Sequence, residues 1–143
     1  MESQIQFKPH GRGKIQVEGR VIRRFYEGPW NREFVIQAHD ELGHVANFDF
    51  SQPWVNMIVV EKSALCPLDA LEAINKNIHS ELNKHRIATA WVYPPGTEGS
   101  DIMIHMLRPL YEDRLPVAFF STIEDADQWL LEVLKLSDLS NIP

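Results

Sequence analysis

Six histidines, one cysteine and scattered hydroxyl and carboxylate side chains are the residues of this 143-residue chain with chemistry to offer. His39 and His44 stand five apart, and His79 and His85 six apart. A helix brings two imidazoles onto one face at i, i+4, so neither spacing forms a ligand pair. A single cysteine gives no zinc cluster. The histidines read as solvated, and no metal and no cofactor are expected. Cys66 directly precedes Pro67. A thiol at a helix N-terminus is activated; the plainer alternative is a small buried hydrophobe. The chain has no Gly-x-Ser-x-Gly elbow and no phosphate loop, and Gly96 and Gly99 flank a segment too short and too acidic to cradle phosphate.

The remaining polar candidates fall where strands run into helices. Open α/β sheets bind ligands beyond the C-terminal ends of parallel strands, and helix N-termini there suit an anion. Glu61, Lys62, Ser63, Thr97, Ser121 and Thr122 are therefore the ligand-binding candidates, with ordinary caps and turns as the alternative. A pairing such as Glu61 with Glu98 depends on the fold.

The elements that position these loops are legible. Trp54 to Val60 is an apolar run broken only by Asn56, which predicts a strand buried on both faces. Pro67 then opens a helix with Leu71, Ile74, Ile78 and Leu82 at helical spacing. Before it, Lys14–Glu18 and Arg20–Glu27 read as an antiparallel hairpin about Gly19. Gly28-Pro29-Trp30 stops that hairpin, and Asn31 caps a helix carrying Phe34, Val35, Ala38 and Leu42 that Gly43 ends or kinks. His44–Phe50 reads as a loop or a short helical turn. Downstream come a strand over Arg86–Tyr93, a helix over 101–111 capped by Ser100 or Asp101, a strand over Pro116–Phe120, and a helix behind Ser121-Thr122 with Ala126, Trp129, Leu130, Val133 and Leu134 on one face. The order β-β-α-β-α-β-α-β-α implies an α/β fold with a mixed five-stranded sheet, an antiparallel hairpin leading parallel βα units. Residues 1–12 read as a loose arm and 13–143 as a single domain.

The helix over 101–111 carries more apolar side chains than one face needs. Ile102, Met103, Met106, Leu107 and Leu110 form the expected core stripe, with Ile104 and Tyr111 toward the other side. Met103, Ile104, Met106 and Tyr111 are therefore the interface candidates, for a homodimer, another protein or a small apolar ligand.

Composition narrows the classes. An apolar fraction of 44% and a charged fraction of 24% are those of a globular protein. The net charge of −6 argues against nucleic acid. Arg20, Arg23 and Arg24 are the only basic cluster, and on a strand they alternate between faces. One cysteine, a polar N-terminus and no apolar run of membrane-spanning length point to a cytoplasmic protein that is not integral to a membrane.

Three stretches resemble the SpoIIAA-like branch of the STAS superfamily: Gly28-Pro29-Trp30-Asn31, the strand from Trp54 with its Pro67 helix, and Phe120 to Leu130. The resemblance spans roughly residues 13–136. It implies a non-enzymatic regulatory or protein-interaction module with helices packed on a mixed sheet. Related anti-sigma-factor antagonists are switched by phosphorylation of a serine after the central strand. Ser63 stands there, without the Asp-Ser-Ser-Gly surroundings of those proteins. A binder of a small apolar or lipid-like ligand is the second expectation, and an enzyme using the strand-end loops the third.

Overall fold

The alternation of strand and helix periods is realised in the computed structural model, which describes residues 12–112 and 115–140. The elements are β1 (Arg12–Glu18), β2 (Val21–Glu27), α1 (Arg32–Gly43), β3 (Trp54–Glu61), α2 (Leu68–Ile78), a 3-10 turn (Glu81–Asn83), β4 (Arg86–Val92), α3 (Ser100–Tyr111), β5 (Val117–Phe120) and α4 (Ile123–Ser140). The expected order holds. The arm expected over 1–12 lies outside the described residues except for Arg12, which opens β1.

The five strands lie in chain order across one sheet. β1 and β2 pair antiparallel about Gly19, whose φ of +58° suits a residue without Cβ. β2 through β5 are parallel. Right-handed crossovers that add each strand on the same side must place their helices on one face. α1, α2 and α3 accordingly share a core with Tyr26, Ile58, Val60 and Trp91. α4, after the last strand, packs on the opposite face, with Ala126 and Leu130 against Val55, Met57 and Val59. β3 runs buried from Trp54 to Val60 because both faces are covered.

Local signals fix most element ends. Asn31 Oδ1 accepts the Phe34 N–H at 3.0 Å, and Thr122 Oγ1 accepts that of Asp125 at 3.2 Å. Two helices are bounded differently from expectation, while segment 44–50 takes one of its two expected forms. Pro67 is the N-cap of α2, and Leu82 lies in the 3-10 turn beyond it. Neither Ser100 nor Asp101 caps α3; Gly99 does, at φ +74°, with the Leu65 side chain packed where a Cβ would stand. His44 to Phe50 is a loop, and its Phe48 and Phe50 ring edges meet Trp54 beneath the sheet.

α3 is rotated from the expected stripe but keeps Met103 and Leu107 in the core. Met103, Leu107 and Tyr111, an i, i+4, i+8 row, are buried, and Ile104 and Leu110 pack beside them. Ile102 and Met106 point out, 57% and 37% exposed. Tyr111 enters the core because its hydroxyl has a buried partner, accepting the Trp91 Nε1–H at 3.1 Å. Of the four interface candidates, Met103 and Tyr111 are thus core, Ile104 is mostly so, and Met106 alone is counted as exposed.

Candidate functional site

The strand-end loops come together, and several of their polar groups bond one another. Thr97 Oγ1 donates toward the carbonyls of Pro94 and Val60, at 2.8 and 3.2 Å. The Glu98 N–H donates to the Lys62 carbonyl at 2.9 Å, and that of Ala64 to the Glu98 carbonyl at 2.8 Å. Ser63, 5% exposed, donates its hydroxyl to Glu98 Oε1 at 3.0 Å and accepts the Leu65 N–H at 3.2 Å. Lys62 reaches Glu27 at 2.6 Å, and the Glu61 carbonyl accepts the Gly28 N–H at 3.1 Å. Thr122 caps α4, which departs on the other face of the sheet, and Ser121 precedes it exposed. Lys62, Ser63 and Thr97 therefore build a knitted corner, joined by the Glu61 backbone while the Glu61 side chain stays exposed, and Ser121 and Thr122 lie outside it.

Cys66 takes the plainer of its two readings. Burial, and then the charge of Asp69, push its thiol up to about 11, which leaves almost no thiolate at neutral pH. Among the described residues no three His, Cys, Asp or Glu side chains form a group able to hold a metal.

An interior cavity does gather unusual chemistry. It lies between the sheet and the helices α1 and α2, and its volume is about 50 Å³. Tyr26, Trp30, Phe34 and Trp91 give it aromatic walls, and the Trp30 ring is stacked on Phe34 at 5.8 Å. Arg24 from β2 and Arg86 from the start of β4 both line it, at 8% and 6% exposure. His39, Asn77 and Ile78, all half-buried, form its rim. The lining runs from Trp30 and Phe34 at the start of α1 to Leu42 and Ile78 in the last turns of α1 and α2, so the cavity extends along the helical face of the sheet and is not confined to the strand ends.

The electrostatics are those of a cationic site in an apolar shell. Arg24 Nε donates to Asn56 Oδ1 at 3.1 Å. The Arg86 guanidinium lies over the Trp54 ring at 6.0 Å, and its Nε and Nη2 have no hydrogen-bond partner among the described residues. Burial brings Arg86 down to about 10, opposed by Tyr111 and helped, to a lesser degree, by the Arg24 charge. Burial likewise lowers His39, helped by the charges of Arg24 and Arg86 and opposed by Asp40. The Tyr26 hydroxyl, Trp30 Nε1 and Asn83 Oδ1 are buried without partners as well. Unpaired donors so far from water are costly, and a buried charge more so.

Sequence reasoning saw that the arginines of β2 alternate between faces, but it paired Arg24 with no residue of another strand. Alternation parts them. Arg23 turns to the α4 face, where Asp127 Oδ1 accepts from its Nε at 3.0 Å and its Nη2 at 2.8 Å. Arg24 turns to the helical face. The available signal was an arginine inside each of two strands that otherwise read as buried, Arg24 and Arg86.

The topology fits the pattern of SpoIIAA-like STAS domains, a mixed sheet with an antiparallel hairpin and then parallel βα units. No family model, no curated protein and no solved structure matches the chain.

Proposed function

We propose that this chain is a non-catalytic binding module of the SpoIIAA-like STAS kind, and that it holds a small, largely apolar ligand in the cavity beneath α1 and α2. The observation that carries the reading is an aromatic-walled cavity whose lining includes buried, unpartnered polar groups. Ligand sites combine apolar walls with a few convergent polar groups in this way. A cavity of about 50 Å³ is roughly a third of one that takes benzene. It therefore seats one functional group, and the body of the ligand passes out over His39 and Ile78. The non-catalytic part draws support from the state of the nucleophiles: the Ser63 hydroxyl is committed to Glu98, and the Cys66 thiol is held protonated.

Native mass spectrometry of gently purified, untagged protein tests the reading. A retained small molecule, lost on denaturation, is the expected result. A bare polypeptide mass, together with no saturable rise in Tm across a panel of small apolar acids, alcohols and amines, would count against it decisively.

A further inference from the structure

We propose that the ligand carries a single carboxylate, seated on the guanidinium groups of Arg86 and Arg24; this rests on the ligand-binding reading above. The unpaired groups around the cavity are mostly donors: Arg86 Nε and Nη2, the Tyr26 hydroxyl and Trp30 Nε1, against the one acceptor Asn83 Oδ1. Such a lining is complementary to a group that only accepts. Two cations line it, and among the described residues no Asp or Glu does. Arg23 shows the contrast within one strand: buried to the same degree as Arg24, it is met by Asp127 and, at 3.5 Å, by Glu18.

The C-terminal turns of α1 and α2 bring the negative ends of two helix dipoles near Arg24 and Arg86, which softens the cost of the charges. They leave Arg86 Nε and Nη2 without an acceptor. A planar guanidinium presents paired donors in a fork that matches a carboxylate. The small volume and flat aromatic walls favour a planar monoanion over a tetrahedral phosphate, which is larger and carries more charge.

The test compares hexanoate, hexanol, acetate and inorganic phosphate as probes of the full chain, by calorimetry and by thermal shift in a buffer free of carboxylates. Hexanoate is expected to bind saturably and at least about tenfold more tightly than hexanol, with acetate weaker than hexanoate because it lacks the apolar body. Arg86→Met is expected to lose at least about tenfold in hexanoate affinity while hexanol is unaffected. Should that variant fail to fold, the acid-against-alcohol comparison on the unaltered protein decides alone. Hexanol matching hexanoate overturns the carboxylate and leaves the ligand reading standing, as does phosphate matching hexanoate. Binding by none of the four also overturns the carboxylate. The wider reading then falls only if native mass spectrometry shows no retained molecule.

Discussion

Replacing Arg86 with methionine is expected to stabilise the ligand-free protein. Arg86 is 6% exposed, and two of its nitrogens have no partner among the described residues. The drop from 12.5 to about 10 is the net cost of its charged form, mostly from burial, after Tyr111 has offset part of it and Arg24 has added a little. At 1.36 kcal/mol per unit this is on the order of 3 kcal/mol. Methionine has an unbranched stem of similar reach, fills most of the same space and needs no hydrogen bonds. Against the gain stands the loss of the guanidinium's position over Trp54, worth about 1–2 kcal/mol when desolvated. The net is a gain of about 1–2 kcal/mol, within the range seen when buried charges are replaced by apolar residues. For a domain of this size that is a Tm rise of roughly 2–8 °C. Urea unfolding at neutral pH, with the slope compared between variants, measures it. If Arg86→Met is less stable than the parent by 1 kcal/mol or more at an unchanged slope, then Arg86 has an internal partner and the unpaired-cation argument is wrong. A variant that is more stable yet binds hexanoate poorly would show stability given up for a site.

Protonating His39 is resisted in the folded state, so the unfolded chain takes the proton more readily; stability should fall as pH drops below its usual 6.5, and His39→Gln should flatten that limb in urea unfolding followed from about pH 7.5 to 5. On α3, Leu107→Ala should cost about 2–5 kcal/mol while Met106→Ala stays within about 1 kcal/mol, because Leu107 is 1% exposed and Met106 37%; equal losses would show that the helix face is misplaced. Ile104→Asp should unfold or strongly destabilise the protein, since Ile104 packs on the core; circular dichroism and light scattering showing a folded chain with changed mass would restore Ile104 to an interface. Tyr111→Phe strands the Trp91 Nε1–H in the core and should cost about 1–3 kcal/mol in thermal or urea unfolding.

Local physics determined the element order. The apolar run Trp54–Val60 could only be a doubly covered strand, Asn31 and Thr122 had the side chains their caps required, and Gly19 took the hairpin's left-handed turn. With right-handed crossovers added, the mixed sheet followed almost without choice. What a sequence read by local pattern does not contain is which way a side chain turns when both answers satisfy the local period. α3 keeps Met103 and Leu107 inward either way, and could bury Ile102 and Met106 beside them or Tyr111 instead. The choice fell to a tertiary partner, the Trp91 Nε1–H that satisfies the Tyr111 hydroxyl. The same holds for the site. Glu61, Lys62, Ser63 and Thr97 were placed at the expected end of the sheet, and tertiary contacts there engage the polar groups of Lys62, Ser63 and Thr97. Arg24 and Arg86 are 62 positions apart in the chain. Strand β3, lying between β2 and β4, is what carries both to one cavity. Their meeting is a matter of register and crossover hand, long-range quantities that no local window of residues encodes.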